Sequence, residues 1–192
     1  MKNIFYILIV LIASSCKGYE NLTLIRESFT GSNLKTNGYY YIFTDRSVGS
    51  GYEGKISDAF FLYQNGIYYN FSHGSYNPNL KISENIRQLD SEVIYRVKRE
   101  KDFINSQPNW GVFNVSGNDI KIERWVFSSG GGKYPTQKVL GKIINDSTIH
   151  FYEQEQNNPT QYGKNKKWEK IDETYHFRQF NPKPDSTNSF IK

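Results

Sequence analysis

Apolar and polar positions alternate with a period of two along most of this chain, and the rhythm breaks once. Tyr39–Thr44 is an aromatic and β-branched run that predicts a first strand, with the Gly- and Ser-rich stretch Ser47 to Gly54 as its loop. Ala59–Tyr63 and Ile67–Phe71 flank Asn65-Gly66, a pair that supplies the positive φ angles of a type I′ turn, and so predict a hairpin. Between Ser83 and Ile104 the spacing changes to three and four, with Ile86, Leu89, Val93, Ile94 and Val97 on one stripe. That predicts an amphipathic helix near 83–104, N-capped at Ser83 and stopped before Pro108.

Alternation then returns. Trp110–Val115 and Ile120–Phe127 pair across Gly117-Asn118, and Val139–Ile144 and Thr148–Tyr152 pair across Asn145-Asp146. Thr174–Phe180 forms the last strand after a long polar loop. Eight antiparallel strands in up-and-down order can close on themselves and so remove the two edges that an open sheet exposes. The predicted fold is therefore mainly β: an up-and-down barrel or strongly curved sheet, lipocalin-like, with one helix inserted between strands three and four. Its boundaries are a signal peptide at 1–15, a tether at 16–34, a β-rich domain at 35–181 and a C-terminal tail at 182–192 that leaves the fold.

The N-terminus carries its own pattern. Lys2 is followed by an apolar run from Ile4 to Ala13 and by small residues, which is the layout of a signal peptide. About 20 apolar residues are needed to span a bilayer, so this run is too short to stay as an anchor. Ala13-Ser14-Ser15-Cys16 resembles the lipobox of bacterial lipoproteins, in which the thiol receives diacylglycerol before cleavage. The resemblance implies cleavage between Ser15 and Cys16, lipidation at Cys16 and attachment to the outer membrane, in the periplasmic or the surface leaflet. Ala13 stands where many lipoboxes carry Leu, and Ala13 with Ser15 also suits the ordinary signal peptidase, which would cut the same bond without lipid.

Composition bounds the rest. Hydrophobic residues make up 37% and aromatic ones 16%, with 15 Tyr and 13 Phe, so rings that each bury roughly 150–250 Å² must build the core. Cys16 is the one cysteine, so the domain forms no internal disulfide in spite of an oxidising compartment. Lys164, Lys166, Lys167 and Lys170 around Trp168 read as a solvated loop, with no nucleic-acid role.

Candidate chemistry is sparse. His73, His150 and His176 lack metal-ligand spacing, and neither a metal nor a cofactor is implied. Ser128–Lys133 lacks the spacing of a phosphate-binding loop. Glu123, Glu153, Glu155 and Asp172 are the acids considered for paired-carboxylate chemistry, and no catalytic motif organises them. Arg124 differs, because alternation puts it on the face of Ile120, Ile122 and Val126. On an inward face its guanidinium must be paired or must meet a ligand anion.

Trp110–Phe113, Ile120–Trp125, the Gly-rich loop and Lys183–Asn188 together resemble a group of small Bacteroidetes lipoproteins without an assigned activity. The expected partners are the membrane, through lipid on Cys16, and either a small apolar or amphipathic ligand held in the barrel or another envelope protein bound by a filled, purely structural one.

Overall fold

In the computed structural model, residues 19–48, 52–99, 109–126, 134–155 and 166–191 are described. Cys16, the expected signal peptide and the Gly-rich loop lie outside them. Eight strands form a closed antiparallel barrel in sequence order: β1 (Gly38–Val48), β2 (Tyr52–Leu62), β3 (Ile67–Ser75), β4 (Trp110–Ser116), β5 (Asp119–Trp125), β6 (Thr136–Asn145), β7 (Thr148–Glu155) and β8 (Trp168–Gln179). The helix α1 (Ile82–Lys98) lies between β3 and β4 in sequence. The predicted lipocalin-like class, strand order and helix position are all found.

Alternation sorts the side chains into two cores. Inside the barrel, Tyr40, Ile42, Phe60, Leu62, Tyr68, Phe113, Ile120, Ile122, Val139, Phe151 and Tyr175 form one cluster. Phe60 is its hub, with the rings of Tyr40, Tyr68 and Tyr175 at 5.6, 5.1 and 5.0 Å between centroids. Outside, Tyr39, Phe61, Tyr69, Phe71, Trp110 and Trp125 form a second cluster with Leu89 and Val93 of α1. The helix stripe therefore packs on the outer sheet face and does not plug an end.

The barrel closes where Gly38–Tyr41 of β1 pair with His176–Gln179 of β8. At Gly38 an added Cβ would collide with the carbonyl of Arg178, so the two backbones can approach this closely only at glycine. One side chain of α1 spans the seam: Asp90 accepts from the Tyr39 hydroxyl at 2.8 Å and from Arg178 Nε and Nη2 at 2.8 and 2.6 Å.

Several elements differ from the sequence expectation. The helix begins one residue before Ser83, because Glu84 accepts from the Lys81 backbone at 3.1 Å and makes Lys81 the capping position; it ends at Lys98. Residues expected in the first loop belong to strands, since the β1–β2 ladder runs on to Val48 opposite Tyr52. Backbone pairing in a closed sheet continues past the apolar period that signals a strand. Trp168 and Lys170 likewise belong to β8, not to a solvated loop.

The tether is not free either. From Tyr19 it runs as a strap along the barrel: the Trp125 indole donates to the Glu20 carbonyl at 2.7 Å. The Glu20 carboxylate accepts from the Thr136 backbone at 2.9 Å and Lys166 at 3.0 Å. Glu123, fully buried on the outer face, accepts from the Thr23 and Leu24 backbones. The tail also stays with the fold. Lys183 donates to the Thr36 and Leu62 carbonyls, both at 2.7 Å, above the Tyr63 ring, and Ile191 is buried in the outer core. Burial pushes the Lys183 amine down to about 7.

Two outcomes follow for stability. Asp90→Ala strips a partly buried acceptor from both sides of the seam and should cost about 1–3 kcal/mol, read as a lower urea midpoint; an unchanged midpoint would show that the seam closes without it. Burial raises the Glu20 carboxyl, but Thr136 and Lys166 outweigh it and hold the group below its ordinary 4.5. The strap clasp is thus fully present above about pH 5 and is lost as pH falls through the lowered folded-state value. The Trp125 indole N–H resonance should report that titration with a midpoint under 4.5, and Glu20→Gln should abolish it.

Candidate functional site

Up-and-down order gives the barrel two unlike ends. At one, the turns around Asn65-Gly66, Gly117-Asn118 and Asp146-Ser147 join the strands tightly. This end is stoppered: Leu34 is buried in the inner core, with Phe29 packed against it. The Tyr40 hydroxyl lies 3.0 and 3.2 Å from the carbonyl oxygens of Lys35 and Asp146. Lys35 also pairs with Asp146 at 3.0 Å and donates to the Ser147 hydroxyl at 2.8 Å. The connections β1–β2, β3–β4, β5–β6 and β7–β8 gather at the other end, the mouth.

Just below the mouth the inward-facing residues change from apolar to polar. Asp58 on β2, Tyr68 and Asn70 on β3, Arg124 on β5, Gln137 on β6, Gln154 on β7, and Glu173 and Tyr175 on β8 form a belt around the lumen. Their mutual hydrogen bonds run in two branches from Arg124. On one side Nη1 donates to the Tyr68 hydroxyl at 2.7 Å, the Asn70 amide reaches Tyr68 at 3.4 Å and Asp58 at 2.7 Å, and Tyr175 donates to Asp58 at 2.6 Å. Tyr175 also lies 3.3 Å from Glu173. On the other side Nη2 donates to Gln137 at 3.2 Å, Gln137 lies 3.5 Å from Gln154, and Gln154 donates to Glu169 at 2.6 Å.

Arg124 itself is under-coordinated. Among the described residues it meets only neutral oxygens, no carboxylate lies within ion-pair distance of it, and its Nε is enclosed without a hydrogen-bond partner. Burial opposes its charge, yet the fields of Tyr68, Asp58 and Tyr175 hold its pKa above the ordinary value. The guanidinium therefore stays a cation with donors unspent. Burial, and then Asp58, keep the Tyr175 phenol well above its ordinary value, so it serves as a donor and not as a base.

The space these groups surround is small. The lumen cavity holds about 40 Å³ and is lined by Ile42, Asp58, Tyr68, Arg124, Phe151 and Tyr175 among others. That admits a carboxylate-sized group or a water, since a water needs ≳ 10–15 Å³, and it falls far below the roughly 300–1,000 Å³ of a drug-sized ligand pocket. Aromatic rings fill the floor beneath. A larger groove of about 450 Å³ lies at the turn end, between strap residues Glu27–Asn33 and β4.

Sequence reasoning singled out Arg124, and the structure puts its side chain on the lumen face. The acids considered with it go elsewhere. Glu123 binds the strap, Glu155 accepts from the Lys138 backbone at 3.1 Å, and Asp172 is exposed, 3.7 Å from His150. The lumen acids are Asp58 and Glu173, each of which lies one residue before a predicted strand. Their signal is alternation, with Asp58 in step with Ile56 and Phe60, and Glu173 with Ile171 and Tyr175. His150 and His176 sit on outward positions of adjacent strands, and His73 lies on β3. Among the described residues no three His, Cys, Asp or Glu side chains gather as a metal site would need, and no helix is long and apolar enough to cross a membrane. No protein-family model, curated protein or solved structure matches the chain.

The belt makes a stability prediction of its own. Tyr175→Phe removes the shortest donor to the buried Asp58 carboxylate and should cost about 1–3 kcal/mol. The measurement is the urea midpoint at constant m-value. No loss would mean that Asp58 is satisfied without the phenol.

Proposed function

We propose that this chain is an exported, lipid-anchored envelope barrel whose mouth receives the anionic head of a small amphipathic ligand at Arg124. One observation carries the reading: a buried guanidinium that has, among the described residues, no carboxylate partner and an unpartnered Nε faces the cavity. Leaving a buried charge without a charged partner is costly, whereas a carboxylate or phosphate-type oxygen engages Nε and a terminal nitrogen together. The Tyr68 hydroxyl, which accepts from Arg124, holds its own proton available for the same anion. With the floor filled by rings, the head sits in the belt and the apolar part lies toward the mouth. No step of bond making is assigned to the site.

A second reading has its own observation. β3 pairs with β4 only over Ile67–Tyr69 against Trp110–Val112, so the β4 edge beyond Phe113 runs without a β3 partner beside the 450 Å³ groove. Asn114 Oδ1 is buried there without a partner. A filled barrel that binds an extended segment of another envelope protein along this edge fits those facts.

Dodecanoate and dodecanol, which share a tail and differ in charge, separate the two. Under the lumen reading the wild type binds dodecanoate, and Arg124→Leu, which folds because it replaces an unpaired charge by an apolar group, loses about tenfold or more in affinity. Dodecanol binding should not change. Equal dodecanoate affinity in both proteins, or none in the wild type, would sink the proposal and leave the edge reading.

A further inference from the structure

The strap fixes which way the barrel faces. Tyr19 forms a bridge with Tyr134 in the β5–β6 connection, and their rings stack at 4.9 Å. The Glu20 backbone donates to the Tyr134 carbonyl at 3.0 Å, while its carboxylate is held by Thr136 and Lys166. Thr136 opens β6 at the mouth end, and Tyr134 and Lys166 lie in the connections there. From there the strap descends along the outer face past Glu123 and reaches the turn end at Asn33, whose amide donates to the Gly117 carbonyl at 2.8 Å. The first residues of the described chain are thus pinned beside the mouth.

Only Lys17 and Gly18 separate Cys16 from Tyr19. Three Cα steps of 3.8 Å reach at most about 11 Å, whereas strands of this length, tilted as in an eight-stranded barrel, set the two ends roughly 25 Å apart. We infer that the mouth of the barrel is apposed to the lipid surface that anchors Cys16, with the turn end pointing away. The inference rests on the lipidated reading of Cys16. A tether of 19 residues would have left the barrel free to tumble, and a reach of three steps does not.

The surface at the mouth suits that neighbour. Trp168, at the start of β8, is 42% exposed beside the exposed Lys167. An indole with a lysine at its side is the combination that settles at the headgroup level of a bilayer. Exposure alone does not choose the end, because Ile144 at the turn end is 60% exposed; the anchor position does. The apposition also gives the lumen a source for its ligand, since an amphipathic anion can pass from the bilayer surface to Arg124 without crossing water.

The test couples purified residues 16–192 through the Cys16 thiol to a maleimide lipid in vesicles containing brominated phosphatidylcholine, and reads tryptophan quenching. Trp110 and Trp125 are buried, and they form a constant background. Trp168 should be quenched, and the effect should vanish in Trp168→Phe. In Trp168→Phe combined with Ile144→Trp, quenching should be about threefold weaker or less, given the ~25 Å between the ends. Equal or stronger quenching at position 144 would overturn the orientation. Natural acylation plays no part in that measurement. Metabolic labelling of Cys16 in cells tests the anchor separately, with Cys16→Ala as control, and absence of label would overturn the lipidated reading alone.

Discussion

Closure between β1 and β8 is the constraint on which the other features depend. The seam joins the first strand to the last, so it brings together residues 140 positions apart, such as Gly38 and Arg178, before any of its contacts can be made. Such non-local pairing pays chain entropy first and gains stability last. Four residue pairs carry it, fewer than any ladder except β3–β4. The compensation comes from α1, whose Asp90 bonds Tyr39 on one side and Arg178 on the other. The helix reaches that position because Leu89 and Val93 flank Asp90 and sink into the outer aromatic core. Helix packing and barrel closure are consequently one event, and an insertion between β3 and β4 holds the seam between β1 and β8.

Closure also creates the low-dielectric lumen in which Arg124 matters. On an open sheet the same guanidinium would be solvated and ordinary. Inside the barrel its water is stripped, and the neutral oxygens of Tyr68 and Gln137 replace only part of it. Asp58 is near enough to support the charge but spends its oxygens on Asn70 and Tyr175. The network thus keeps cation and carboxylate apart, each held by neutral intermediaries. Direct pairing would have spent the remaining donors, and separation leaves Arg124 Nε without a partner among the described residues.

Much of this was legible in the sequence, and the failures share a cause. Asn65-Gly66 marked its hairpin, although only Gly66 takes the positive φ expected of both, and Arg124 marked itself by standing in step with Ile120 and Ile122. Asp58 and Glu173 were missed because strands near the mouth lose the apolar rhythm by which strands are recognised. Their ladders persist on backbone bonds, which any sequence can make. The residues that give the lumen its polarity are therefore the ones that hide its strands. Glu20 and Glu123 were opaque for a different reason: nothing local distinguishes a surface acid from one that accepts the backbone of a segment 100 residues away.

The strap and the tail give the clearest case of tertiary structure overriding local appearance. Both lack a sustained period, and they read as a tether and as a tail that leaves the fold. Yet a 0%-exposed carboxylate, Glu123, requires the strap amides as donors, and Lys183 places its amine over the Tyr63 ring. Removing the strap would leave the Glu123 carboxylate without those donors, and removing the tail would take the Lys183 donor from the Thr36 and Leu62 carbonyls. From Tyr19 onward the strap is thus held by the barrel. Tyr19 and Glu20 belong to the folded body, so any force acting on the residues before them acts on the rim of the mouth, beside the belt that holds Arg124.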